Sequence, residues 1–320
     1  MRGAIRVAMI GAGGFARRHL EVLERIGGTV VVGHHARRFE AASAQAERFG
    51  GEPFDDLEAL FTRSRPDAVW ISLPPGAHGP AEAAAIAAGV PLFVEKPLAA
   101  DLATAEAIGA DLERAGLLAA VGYHWRALDT LDEVRERLGR LEVRLVRGSW
   151  HGSTPPPAWW QRRATGGGQV VEQATHVLDL ARHLLGEAEV LAASAPVVER
   201  SAYPDSDVAP ASAALLRFER GPIGSFTATC ALAGNAEIEL SLYAEGLHVS
   251  IDQTAVRYDD GRERREVRRR GDPVEREDRA FLDAMRSDDP ARVLCDYRDA
   301  LATQRLTTEV QRLADEAGGR

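Results

Sequence analysis

The chain has 320 residues, enough for two domains of roughly 150 residues each with a core that needs no disulfide, metal or partner chain to hold it. Hydrophobic residues at 45% and charged residues at 27% belong to a globular protein and exclude the disordered and fibrous classes. A formal charge of −9, from 39 basic and 48 acidic residues, repels phosphate backbones and argues against a general nucleic-acid binder.

In chain order, Ala4–Ile10 predicts a strand, Phe15–Ile26 carries helical spacing and Thr29–Gly33 is a second, β-branched run. Ala41–Phe49 is helical again. The apolar runs Asp67–Leu73 and Pro91–Glu95 are separated by the Ala-rich Pro80–Ala88. Alternating β and α with short links predicts a parallel, doubly wound sheet, whose strands, covered on both faces, read as continuous apolar runs.

Beyond about residue 120 the pattern changes. Glu142–Trp150, Glu189–Glu199, Ala211–Phe218, Gly224–Ala231, Glu237–Tyr243 and Leu247–Asp252 read as strands punctuated by Gly, Pro, Asn and Asp, interrupted by one helix over Val170–Leu185. Successive strands of this kind predict a mainly antiparallel sheet. The segment 257–279 holds nine Arg and eight Asp or Glu, which nearly cancel, and reads as a solvated hairpin and connection. Helices near Val274–Arg286 and Asp296–Ala314 close the chain. The predicted fold class is therefore α/β with two domains, 1–121 and 122–320.

Cys230 and Cys295 stand apart, with neither CxxC nor Cys/His ligand spacing, so no disulfide framework or metal site is signalled and a reducing cytoplasm fits best. The stretch Ala83–Val94 is broken by Gly89 and Pro91 and falls short of the roughly 20 residues of a membrane span. Glycines interrupt Met1–Ala16 too early for a signal peptide.

Gly11-Ala12-Gly13-Gly14-Phe15-Ala16 follows the first strand and opens the first helix, the G-x-G-x-x-G/A form. Gly11 permits the tight turn, Gly13 lets backbone N–H groups approach a pyrophosphate, and small Ala16 lets helix and strand pack closely. The helix N-terminus adds partial positive charge. After the second strand, Ala36-Arg37-Arg38 offers no acid for a ribose 2′-hydroxyl but two guanidinium groups suited to a 2′-phosphate, so NADP is expected, with NAD the alternative.

The basic residues are 38 arginines and one lysine, Lys96. Guanidinium stays protonated, whereas an amine can give or take a proton near neutrality when buried. Lys96 stands in Glu95-Lys96-Pro97 at the carboxyl end of a predicted strand, the side on which open parallel sheets bind ligands; Pro97 suits an unusual turn, cis or trans. Further on, Gly166-Gly167-Gly168 leads into a helix whose spacing puts Glu172, His176 and Asp179 on one face and Val177, Leu178, Ala181 and Leu185 on another. An imidazole with an ordinary pKa of about 6.5 suits the taking and returning of a hydroxyl proton.

The glycine turn, Glu95-Lys96-Pro97, Gly122-Tyr123-His124-Trp125-Arg126, and Gly166-Gly167-Gly168 through Glu172, His176 and Asp179 occur in the order seen in the Gfo/Idh/MocA oxidoreductases. The chain resembles that family, which includes glucose–fructose oxidoreductase and inositol dehydrogenase, over essentially its whole length. The resemblance implies an N-terminal Rossmann dinucleotide-binding domain, a C-terminal α+β domain with an open sheet for substrate binding and oligomerisation, and a sugar or polyol substrate. It also implies that Lys96, Glu172 and His176 form the catalytic set. Glu172 is a departure, since many members have Asp there.

The expected reaction is reversible hydride transfer between nicotinamide and a carbinol carbon, with His176 as base, Lys96 bonding the reacting oxygen and Glu172 supporting them. Which of Lys96 and His176 moves the proton stays open. Leu73, Pro74, Pro75 and His78 follow the fourth strand and are expected to flank the cofactor together with Glu95 and Phe15. Tyr123, His124, Arg126, Trp159, Trp160 and Asp179 are the expected substrate contacts, indole faces suiting sugar C–H surfaces. The competing readings are a dinucleotide-binding sensor without turnover and a nicotinamide-assisted glycosidase. A homodimer or homotetramer follows from the family analogy.

Overall fold

A computed structural model describes residues 3–318 apart from 140, 197 and 199, and the chain divides into two compact units. The first takes the residues through Ala99, Ala103–His124 and Asp272–Leu301; the second takes Ala100–Leu102, Trp125–Gly271 and the residues from Ala302 onward.

The first unit begins with β1 (Ile5–Ile10), α1 (Gly14–Ile26), β2 (Thr29–His35), α2 (Phe39–Phe49), β3 (Glu52–Phe54), α3 (Leu57–Ser64), β4 (Ala68–Ile71), α4 (Pro80–Ala87), β5 (Leu92–Val94), α5 (Leu102–Ala115) and β6 (Ala119–Val121). The sheet order is β3-β2-β1-β4-β5-β6 and every pairing is parallel. Strands β4 and β5 are buried along their whole length, which is why they read as unbroken apolar runs. The order reverses between β1 and β4, where doubly wound sheets open a crevice at their carboxyl edge.

In the second unit come α6 (Leu131–Leu138), β7 (Val143–Ser153), α7 (Arg163–Gly166), a π-helical turn (Val170–Ala174), α8 (Thr175–Leu185), β8 (Ala188–Ser194), β9 (Ala211–Phe218), β10 (Ile223–Leu232), β11 (Glu237–Ala244), β12 (Leu247–Ile251), β13 (Ala255–Asp259) and β14 (Arg264–Arg268). These strands form one sheet, β14-β13-β12-β11-β7-β10-β9-β8, parallel between β7 and β10 and antiparallel elsewhere. Burial alternates along β9 and β10, so one face is packed and the other carries exposed Leu145, Leu215 and Ile223. The packed face receives Val177, Leu178, Ala181 and Leu185 of α8. Gly148 makes that seating possible, since a Cβ there would lie 2.2 Å from the Phe226 ring and 2.9 Å from Val177 Cγ1.

Four sequence expectations need correcting. The helix over Val170–Leu185 is interrupted, because the π-helical turn adds a residue before α8 and shifts Glu172 out of the regular i,i+4 phase with His176. The strand over Glu189–Glu199 ends at Ser194, and residues 197 and 199 lie outside the described residues. A single cut at 121/122 does not describe the packing: after β14 the chain returns to the first unit, where α9 (Pro273–Ser287) places Phe281 and Leu282 in the core of Val7, Met9, Trp70 and Phe93, and α10 (Tyr297–Ala317) begins. The charge-rich 257–279 is a solvated hairpin only in its first part, since Glu277 and Asp278 are buried, lying on the same helical face as Val274, Phe281 and Leu282.

Gly148→Ala, which overpacks Phe226 and Val177, is expected to lower stability by about 1–3 kcal/mol. Urea denaturation measures it, and an unchanged midpoint would show that α8 has room to lift from the sheet.

Candidate active site

In the first unit the carboxyl ends of β1, β2 and β4 are tied together. Gly11 N–H donates to the His35 carbonyl and Ser72 N–H to the Ile10 carbonyl, both at 2.8 Å. Gly11 has φ +114°, and a Cβ there would stand 2.0 Å from the Ser72 carbonyl oxygen, so both conformation and space demand glycine. Leu73 follows directly, its Cδ2 3.6 Å from the same point.

Gly13 and Gly14 differ: a Cβ on either meets nothing within 4 Å. Their surface is open at the start of α1, whose first turn holds no acidic residue and no side-chain cap. The backbone N–H groups there are thus available to an anion. Ala16 is fully buried and Phe15 is 44% exposed. Arg37 and Arg38 are exposed; among the described residues neither guanidinium has a hydrogen-bond or ion-pair partner. That combination fits a dinucleotide with a 2′-phosphate.

His78 is buried, its Nδ1 2.6 Å from Glu82 Oε1, while Glu82 Oε2 accepts from Gly79 N–H at 2.6 Å. This clamp fixes the loop that carries Pro74 and Pro75 after β4.

At the end of β5 the Lys96–Pro97 bond is cis, and Lys96 itself is half-buried. Glu95 is buried beneath it. His19 of α1 sits 2.9 Å from Glu95 Oε1 through Nε2 and 2.9 Å from both Asp278 oxygens through Nδ1. His19, Glu95 and Glu277 bring ligand atoms within 4.8 Å of one another, yet both imidazole nitrogens already face carboxylates, so the cluster reads as a proton-holding network. His124, with its ring 6.3 Å from Phe15, is buried too. Burial chiefly, then the nearby charges of Lys96 and His19, lowers its pKa to about 4 against the pull of Glu95.

The second unit carries the other candidates. The rings of His176, Trp125 and Trp150 form a three-membered cluster, His176 lying 6.3 Å from Trp125 at 16° and 5.7 Å from Trp150 at 21°, with the two indoles 6.3 Å apart at 35°. Glu172 Oε2 accepts from Trp160 Nε1 at 2.8 Å; Trp160 is buried and its neighbour Trp159 half-buried. Arg126 grips Asp179 with two bonds of 2.7 and 2.6 Å, and Thr303 of α10 donates to the same carboxylate at 2.7 Å. Both partners are inaccessible, 1% and 0% exposed, so the pair fixes α8 whatever else it does. Tyr123 and His124 fall in the first unit, and Arg126, Trp159, Trp160, Glu172, His176 and Asp179 in the second.

Sequence reasoning missed His19, Glu277, Asp278, Trp125 and Trp150 as neighbours of the site residues. A signal existed for His19 and Asp278: each stands at i−3 or i−4 from apolar core positions, Val22 and Leu23 for the first, Phe281 and Leu282 for the second. None existed for Trp150, which the packing of α8 on the sheet brings to His176.

A family model described as the oxidoreductase family with NAD-binding Rossmann fold matches residues 5–123, and one described as the GFO/IDH/MocA C-terminal domain matches residues 135–249. Among curated proteins the chain is 37% identical over 137 residues to a dTDP-3,4-didehydro-2,6-dideoxy-alpha-D-glucose 3-reductase of Actinomadura kijaniata, covering 40% of this chain and 41% of that one. It is 30% identical over 195 residues to an inositol 2-dehydrogenase of Rubrobacter xylanophilus, covering 58% and 55%. These matches thus span about half or less of the curated relatives. A crystal structure of a 3-ketoreductase from Actinomadura kijaniata in complex with NADP and TDP-benzene superposes with TM-score 0.85 at 25% identity, over 97% of this chain and 98% of that one.

Because the pKa of His124 is depressed on folding, the stability it contributes is full above about pH 6.5 and lost as pH falls toward about 4. Over that window His124→Gln is expected to lose less stability than the wild type, by up to about 3 kcal/mol. Parallel slopes in urea titrations from pH 7 to 4 would remove His124 as the cause.

Proposed function

The chain belongs to the Gfo/Idh/MocA oxidoreductase family, and from that premise we propose that it is an NAD(P)-dependent oxidoreductase transferring a hydride between nicotinamide and a hydroxyl-bearing carbon of a sugar, polyol or inositol-like substrate. The observation that carries this reading is the shared carboxyl edge of one parallel sheet, where the open Gly13–Gly14 turn follows β1 and the chain's single lysine follows β5. The activities named for the sugar ketoreductase and inositol dehydrogenase relatives support it.

Gly13, Gly14 and the first N–H groups of α1 would hold the pyrophosphate, with Gly11 shaping the turn, and Arg37 and Arg38 would hold the 2′-phosphate of NADP. Leu73, Pro74 and Pro75, on their clamped loop, would flank the reactive end of the cofactor. The bound nicotinamide supplies the hydride acceptor or donor. His176, packed beside Trp125 and Trp150, takes the hydroxyl proton on oxidation and returns it on reduction. Lys96 hydrogen-bonds the reacting oxygen and steadies its developing charge. Glu172, held by Trp160, is the supporting carboxylate of the second unit. Trp159, half-buried, offers an indole face to the substrate, while Arg126 and Asp179 keep α8 in place. We read the chain as a cytoplasmic homo-oligomer: the apolar positions on the open sheet face support association, and two buried cysteines that form no disulfide suit a reducing compartment.

Fluorescence titration with NADPH and NADH is expected to show tighter binding of NADPH; equal binding overturns the role given to Arg37 and Arg38. In turnover assays on a panel of polyols and sugars, Lys96→Arg is expected to lower kcat by at least about a hundredfold. Normal turnover in that variant would remove Lys96 from the chemistry.

A further inference from the structure

Beneath the Glu95-Lys96-Pro97 turn lies a chain of buried polar groups that the reaction itself does not use. Trp70 Nε1 of β4 donates to Asp278 Oδ1 at 2.9 Å. Asp278, on α9, faces His19 Nδ1 with both oxygens at 2.9 Å. His19 Nε2 faces Glu95 Oε1 at 2.9 Å, and Glu95 Oε2 accepts from the Lys96 backbone N–H at 3.2 Å. On the remaining side Glu95 lies against Gly122, where a Cβ would come within 2.5 Å of Oε1. The carboxylate therefore has one position, set by β4, α1, α9 and the end of β6.

An imidazole can face acceptors through both nitrogens only when both carry protons. Burial by itself would lower the His19 pKa; Asp278 and Glu95 outweigh it and hold that pKa well above the ordinary value. The other groups facing the chain are Glu277, whose pKa is pushed well up by burial and by the Glu95 charge, together with Asp272, Lys96 and His124. A core of hydrophobic groups would stabilise the fold at least as well as buried ions do. What such a core could not supply is a directed hold on the strand end that bears the lysine.

We propose that His19 and Asp278 are positioning residues for the reaction: through the Glu95 carboxylate they fix the Lys96 main chain, so that the amine is presented to the reacting oxygen in one orientation. The inference rests on the reading of Lys96 as the oxygen-binding amine. Asp278→Asn keeps the shape of the side chain and removes the charge that holds His19 doubly protonated. Leu20→Ala, in the α1 core beside His19 but outside the hydrogen-bonded chain, serves as a stability control. A displaced catalytic group costs about ten- to a hundredfold in rate.

The experiment compares kcat, KM, the kcat–pH profile, the NADPH Kd by fluorescence, and thermal melting for the three proteins, alongside 15N NMR of histidine-labelled wild type. Asp278→Asn is expected to lose about tenfold or more in kcat, to shift a limb of the pH profile, and to keep its NADPH Kd within about twofold. Leu20→Ala is expected to melt at least as much earlier yet keep kcat and the profile. In the wild type, one imidazole is expected to stay doubly protonated well above pH 6.5 and to lose that signature in Asp278→Asn. Unchanged kcat and profile in Asp278→Asn, or an equal kcat loss in Leu20→Ala, overturns the proposal. So does a wild-type spectrum in which every histidine titrates at its ordinary value, a result that decides the matter even if Asp278→Asn does not fold. A wild type inactive on every sugar and polyol would instead defeat the functional reading, leaving the NMR result to report on His19 alone.

Discussion

The Glu95 carboxylate is taken out of water at the end of a central strand, and a buried charge without water must be met by the protein around it. That requirement links elements far apart in the chain: α1 brings His19, β4 brings Trp70, and α9 brings Asp278 from more than 250 residues further on. It also explains the sequence next door. Position 122 must be glycine because the carboxylate occupies the space of a side chain, and the chain must return to the first unit with α9 to complete the cluster. The turn bearing the chain's only lysine is therefore built on a rigid base, which is what a group that must meet a substrate oxygen requires.

The second unit solves a related problem with a different pair. Arg126 and Asp179 are both inaccessible, and their two-bond geometry with Thr303 leaves no charge unanswered. Removing either partner strands the other in a dry interior, so the pair locks α8 against α10. Gly148 lets α8 lie directly on the sheet, and the cluster of Trp125, His176 and Trp150 rings then holds the imidazole. The side chains assigned to the chemistry are in each unit held by neighbours that do none of it.

Much of this was legible from residues alone. The glycine turn reads correctly because its requirements are local: Gly11 needs a positive φ and a close carbonyl, and both are set within one strand–turn–helix unit. Lys96 stood out by composition, independent of any fold. The strands of the second sheet were visible as runs between turn residues, and Ala211–Phe218 is the observed β9. What misled was charge. Nine arginines and eight acids in 257–279 look like a solvated surface, and counting signs hides the fact that Asp278 shares a helical face with Phe281 and Leu282. The π-helical turn was also invisible, because an inserted residue changes the phase of a helix without changing its composition.

Local rules thus determined the strand–turn–helix that opens the chain, the parallel and antiparallel halves, the lone amine at a strand end and the imidazole on a helix, since each depends on residues a few positions apart. The tertiary structure alone decided which acids are dry, which tryptophans pack beside His176, and that a helix near the carboxyl terminus completes the first unit. Those outcomes depend on contacts between segments far apart in sequence, where burial turns an ordinary carboxylate or histidine into a group whose protonation is set by its neighbours.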